Sequence, residues 1–143
     1  MFLDEIFSTP IWGFDLDLDV DSMKYWCYGC MKENPGRVIS NVGGWQSEDY
    51  RTFNNTPLLE LIDVIIKESH HIASDLGIPK GERWVENLWI NINPKYSYNQ
   101  VHVHPEARLS GVFYVSAPEN SGDICFTRSG GYALGTVAPN QTR

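Results

Sequence analysis

At 143 residues, 42% hydrophobic and 13% aromatic, the chain has the length of one domain and enough apolar mass for one core, which excludes a disordered polypeptide. Its 18 acidic against 11 basic side chains give a formal net charge of −7 at pH 7, and a protein that grips phosphates needs a basic face, so no nucleic-acid partner is expected. No apolar run reaches the roughly 20 residues of a membrane span, and Met1-Phe2-Leu3-Asp4-Glu5 lacks the cationic start and apolar centre of a secretory signal, so the reading is a soluble, cytoplasmic protein with no membrane partner.

The first predicted element is a strand over Ile6–Leu16, whose tail alternates Phe14, Leu16 and Leu18 with Asp15, Asp17 and Asp19. Carboxylates at alternate strand positions form a solvated face, a reading preferred to a calcium site. A helix over Asp21–Glu33 follows, with Met23, Trp26, Cys27, Cys30 and Met31 at helical spacing, and Asn34-Pro35-Gly36 stops it. Cys27 and Cys30 spell Cys-x-x-Cys, but a redox pair belongs at the strand-to-helix junction of a βαβ unit and a zinc knuckle needs a second ligand pair. Neither context is present in the sequence, so both are read as core-facing thiols. The odd total of three cysteines fits a reducing compartment.

Val38–Trp45 reads as a strand and a Gly43-Gly44 turn, with Trp45 as a packing anchor at the bend. Thr56 and Pro57 then supply an N-cap and first helical residue, and Leu58, Leu61, Ile62, Ile65, Ile72 and Leu76 form an apolar stripe that Gly77 and Pro79 end. His70 and His71 follow Glu68 on this helix. Adjacent histidines do not share a helical face, so both are read as surface residues.

From Trp84 the period changes to two. Trp84, Glu86, Leu88, Ile90 and Ile92 alternate with Val85, Asn87, Trp89, Asn91 and Asn93, a turn follows at Asn93-Pro94-Lys95, and further strands are predicted over Tyr96–His104, Leu109–Ala117 and Gly122–Phe126. No internal repeat divides the chain, so it is read as a single domain over 1–143: N-terminal strands and helices in 1–83, and a β core in 84–143. Within that core Val101, His102, Val103 and His104 alternate apolar with imidazole, and residues two apart in a strand share a face. Two neutral imidazoles side by side can grip one metal ion; histidines on a solvated strand, paired with a carboxylate or with water, are the plainer reading. Glu106 adds a carboxylate two positions on, beyond the break that Pro105 introduces.

Three separated blocks carry a family resemblance. Thr9-Pro10-Ile11-Trp12, then Ser40-Asn41-Val42-Gly43-Gly44-Trp45-Gln46-Ser47, and then Asn99 to Phe126 with its two alternating histidines, Leu109-Ser110-Gly111-Val112-Phe113-Tyr114-Val115 and Ser121-Gly122-Asp123-Ile124-Cys125-Phe126, together resemble a family of 2-oxoglutarate- and Fe(II)-dependent oxygenases common in phages of marine cyanobacteria and in marine bacteria. The resemblance implies a mainly β fold with flanking helices (α+β), a double-stranded β-helix or jelly roll of cupin-like form that holds iron between its sheets. It implies the cofactors Fe(II) and 2-oxoglutarate, hydroxylation of an unknown small-molecule or protein substrate, and a place in the host cytoplasm where the gene is phage-encoded.

In the wider superfamily the first ligands come as His-x-Asp or His-x-Glu, and a last histidine follows much later near an Arg or Lys that pairs with 2-oxoglutarate. Here the residue two after His102 is His104, so the pair is either His102 with His104, ranked first because both precede Pro105, or His104 with Glu106. Asn91, Tyr96 and Tyr114 are candidate cosubstrate contacts. Thr127–Arg143 contains no histidine, and Arg128 and Arg143 are its only basic residues. The expectation is therefore a jelly roll incomplete at its C-terminus, with an oxygenase and a non-catalytic jelly-roll metal-binding or interaction module both open. About five predicted strands against the eight of a jelly roll leave sheet edges free, and a homodimer through the β region is expected, with Trp84, Trp89, Tyr96, Phe113 and Tyr114 in the interface.

Overall fold

The computed structural model describes residues 9–53, 56–79 and 81–127, and the backbone of 133–137. Their elements are two helices, α1 (Val20–Glu33) and α2 (Leu58–Asp75), and six short strands, β1 (Asn41–Val42), β2 (Trp45–Gln46), β3 (Asn91–Ile92), β4 (Tyr98–Asn99), β5 (Ile124–Thr127) and β6 (Ala133–Val137). They pair antiparallel in three two-stranded sheets, β1 with β4, β2 with β3 and β5 with β6. The architecture is α+β. Ile6–Ser8 of the predicted first strand, together with Arg128 and Arg143, lie outside the described residues.

Local chemistry sets the helix ends. Asp19 closes the acidic alternation and opens α1: its carboxylate accepts the Ser22 N–H at 3.0 Å, and the hydrogen bonds from Ser22 hold its pKa below the ordinary value. Asp21 in the first turn and Lys32 in the last complement the helix dipole. At α2 the Thr56 hydroxyl accepts the Leu58 N–H at 3.3 Å, as its position before Pro57 predicts. The other end is a Schellman motif. Gly77 takes φ of 65° and donates to the Ser74 carbonyl at 3.0 Å, while Ile78 donates to Ala73 at 2.8 Å.

The core forms where the two helices meet the segment after Trp84. Met23 and Cys27 from α1, Leu58 and Leu61 from α2, and Ile90 are buried together, with Leu16, Leu18, Trp26, Trp45, Leu88 and Ile92 packed around them. Both Cys-x-x-Cys thiols are free and face this cluster, as the helical spacing predicts. Burial, together with the neighbouring Cys30, pushes the Cys27 thiol up to about 11, so it is an unreactive core group. Burial likewise raises the Tyr50 hydroxyl, which bonds Cys30, to about 12. The α2 stripe is confirmed at Leu58, Leu61, Ile62 and Ile65. Ala73, 2% exposed, belongs to it as well, whereas Leu76 is exposed because it is the C-cap residue. His70 and His71 lie on the surface, and His71 Nδ1 meets Glu68 Oε2 at 2.7 Å.

The strands are fewer and shorter than the alternation predicts. Residues 9–19 form no strand; Leu16 and Leu18 still turn inward and Asp15, Asp17 and Asp19 outward, but no ladder pairs with them. Trp12 instead donates its indole N–H to Asp75 at 3.1 Å. After Trp84 only 91–92, 98–99, 124–127 and 133–137 pair as strands among the described residues, with an isolated bridge between Leu88 and Tyr50. Period two reports which side faces the core, and a strand also needs a hydrogen-bonding neighbour. Phe113 and Val115 accordingly pack on the core between exposed Val112, Tyr114 and Ser116, although 109–117 form no ladder. Trp84 is 70% exposed, so the inner face of this segment begins at Leu88.

Two substitutions separate backbone from packing effects. A Cβ at Gly77 meets nothing within 4 Å, so Gly77→Ala costs only its left-handed conformation, about 1–2 kcal/mol. A Cβ at Gly36, also at positive φ, collides with the Trp45 indole and the Gln46 carbonyl, so Gly36→Ala is expected to cost more than Gly77→Ala. Urea-denaturation midpoints of the two variants check the order.

Candidate metal site

The segment leading into the histidines is held by two short antiparallel ladders on either side of a shared bend. Trp45 and Gln46 face Ile92 and Asn91, Asn41 and Val42 face Asn99 and Tyr98, and the register continues through the bonds of Ser47 N–H to the Ile90 carbonyl at 3.0 Å and of Gln100 N–H to the Ser40 carbonyl at 2.7 Å. The Ser40–Ser47 block is thus the direct partner of the segment leading into the histidines. Both sides bend at the same level: Gly43 takes φ of 74°, and the Pro94–Ser97 turn closes with Ser97 N–H on the Pro94 carbonyl at 3.0 Å, Tyr96 taking φ of 69°. Inside the pairing, Ser40, Asn41, Gln46 and Ser47 are buried. Asn41 donates to the carbonyls of Arg37 and Gly44 and accepts from Ile39 N–H, and Ser47 Oγ accepts from Ile90 N–H at 2.9 Å. The turn before this block is fixed by the ion pair of Arg37 with Asp49, whose carboxyl is partly buried yet is held below its ordinary pKa by the guanidinium.

An amide array sits just ahead of the histidines. Asn99 Nδ2 donates to Ser40 Oγ at 3.2 Å and to Asn91 Oδ1 at 3.4 Å, and Asn99 Oδ1 accepts from Asn93 Nδ2 at 2.9 Å. Gly44 makes room for it, since a Cβ there would strike Asn93 Oδ1 and meet the Ile92 carbonyl at 3.0 Å.

Beyond Gln100 the chain carries its two imidazoles side by side. The rings of His102 and His104 lie 4.8 Å apart, edge to face at 89°, and His104 also packs against Trp89 at 5.4 Å. His102 Nδ1 lies 2.6 Å from the Gln100 carbonyl. A carbonyl only accepts, so Nδ1 carries the proton and Nε2 keeps its lone pair. His104 is half-buried, and burial followed by the proximity of His102 lowers its pKa, which favours the neutral, ligating form. Two adjacent imidazoles, one with its Nδ1–H held by a backbone carbonyl, are a fitting donor pair for a divalent metal such as iron. Among the described residues no three of His, Cys, Asp and Glu converge.

The other candidates are placed differently. Glu106 is exposed in the turn after Pro105, at φ of 70°, where Ala107 N–H reaches the His104 carbonyl at 3.4 Å. Asn91 belongs to the amide array. Tyr96 is 88% exposed at the turn, its ring under the Lys95 ammonium at 4.9 Å. Tyr114 is raised in pKa by burial and by Asp123. Sequence reasoning missed Trp89 as a neighbour of His104 and the Asn99–Asn93–Ser40 array, although the polar alternation Asn91, Asn93 was there to be read. A separate groove of about 440 Å³ lies between α2 and the segment after Trp84, lined by Phe53, Ile62, Ile66, Trp84 and the exposed Arg51–Glu86 ion pair; neither histidine borders it.

No helix among the described residues is long and apolar enough to cross a membrane. No curated protein and no solved structure matches the chain. Residues 87–142, less than half of the chain, are similar to the family described as "Putative 2OG-Fe(II) oxygenase", and the match includes Asn91, Asn93, Asn99 and both histidines.

Proposed function

We propose that this chain is a 2-oxoglutarate- and Fe(II)-dependent oxygenase domain of jelly-roll type that hydroxylates a small-molecule or protein substrate. The observation that carries the reading is the side-by-side placement of His102 and His104, with the Nε2 lone pair of His102 left free by the bond from Nδ1 to the Gln100 carbonyl. The family match over 87–142 supplies the chemical class. When bound, iron with 2-oxoglutarate would supply the oxidising power. The residues of the chain would do the holding. His102 and His104 would be the protein ligands, Trp89 would restrict the swing of the His104 ring, and Asn91, Tyr96 and Tyr114 are the candidates for cosubstrate contact. Glu106 is the alternative partner of His104.

A second reading, a non-catalytic jelly-roll metal-binding or interaction module, is favoured by the lack of a third converging ligand among the described residues. Turnover separates the two. Anaerobic titration with Fe(II) and 2-oxoglutarate is expected to give the weak visible charge-transfer band of a chelated oxoacid, and admission of O₂ is expected to convert 2-oxoglutarate to succinate. The band without succinate would favour the module, and no band would overturn the proposed site. His102→Ala and His104→Ala are each expected to weaken Fe(II) binding by at least about 100-fold, the upper end of losses seen for outer-shell partners, with unchanged far-UV circular dichroism. Equal Fe(II) affinity in either variant would remove that histidine from the ligand set.

A further inference from the structure

We propose that Asn99, with Asn93 and Ser40, is the positioning group of the histidine pair: an amide array that fixes the register and direction of the strand so that His102 and His104 meet one metal. The inference rests on the metal-site reading above. It stands on geometry. Asn99 uses both of its side-chain polar atoms, its Nδ2 donating to Ser40 and Asn91 and its Oδ1 accepting from Asn93 Nδ2, and these partners come from two other stretches of chain. The next residue, Gln100, spends its N–H on the Ser40 carbonyl and its C=O on His102 Nδ1. A continuous line of hydrogen bonds therefore runs from Asn93 through Asn99 to Ser40, on to Gln100 and to the His102 ring.

Beyond Gln100 that support stops. No described residue pairs with Val101 or Val103 as a strand, and the two valines are 74% and 80% exposed. The direction of the imidazoles is thus decided at Asn99 and Gln100, where the last strand pairing and the amide array coincide, and by the ring of Trp89. Gly44 belongs to the same device. Its missing side chain is the space Asn93 occupies, which gives the glycine pair of the Ser40–Ser47 block a role in the metal site as well as in the bend.

A positioning role and a merely structural one differ in what they move. Co(II) serves as the probe, since its d–d absorption reports ligand number and geometry. Asn99→Ala and the more conservative Asn93→Ala, which alters an exposed side chain, are expected to weaken Co(II) affinity by about 10- to 100-fold and to shift the Co(II) spectrum, while circular dichroism and urea midpoint stay near wild type. Because both residues act through one network, the double variant is expected to lose less than the product of the two single losses. Co(II) affinity and spectrum unchanged in a folded Asn93→Ala or Asn99→Ala would overturn the positioning role and leave the histidine site standing. A wild-type chain that binds no Co(II) would overturn the positioning role together with the site itself.

Discussion

The structure depends on the antiparallel pairing of the stretch 40–50 with the stretch 88–100. Neither side would be stable alone: each ladder holds only two residue pairs, and an isolated two-stranded ribbon of that length is marginal in water. The pairing lasts because its two surfaces are occupied differently. On one side Ile90, Leu88, Ile92 and Trp45 pack against Met23, Cys27, Leu58 and Leu61 of the two helices. Within the ribbon, Ser47 and Asn41 satisfy backbone groups that would otherwise be buried unpaired. The helices supply the hydrophobic free energy, and the polar side chains of the Ser40–Ser47 block choose the register.

Electrostatics separates the site from the rest of the molecule. The chain as a whole carries −7, yet Tyr96 to Pro105 contains no charged side chain. Under the proposed function a divalent cation would meet His102 and His104 in a stretch without charged side chains. Glu106, the alternative partner of His104, follows this uncharged stretch at φ of 70° in the turn after Pro105.

Much of this was legible in the sequence, for reasons that can be named. The helices were readable because their signals are local: the α2 stripe, Thr56 before Pro57, and Gly77 at the end all act within a few residues. The adjacency of His102 and His104 was readable for the same reason, since spacing of two is itself a geometric statement. The extent of the strands was not. Phe113 and Val115 turn inward as the alternation says, but whether a segment pairs depends on a neighbour distant in sequence, which alternation does not encode. The amide array was hidden for the same cause. Asn99 and Ser40 are 59 residues apart, and nothing in either local pattern announces the other.

That hidden contact gives the separated blocks a physical connection. Ser40-Asn41-Val42-Gly43-Gly44 contributes a hydroxyl and a carbonyl to the histidine strand, Asn41 as the residue facing Asn99, and Gly44 as the space for Asn93. Each of these contacts is polar or steric and lies at the far edge of the helix-packed core, so removing one subtracts little buried apolar area. The hydrophobic free energy therefore comes from Met23, Cys27, Leu58, Leu61 and Ile90, while Ser40, Gly44, Asn93 and Asn99 act on the register and, under the proposal above, on the imidazole geometry. A site organised in this way is expected to loosen while the chain stays folded, because its polar contacts carry little of the buried apolar area.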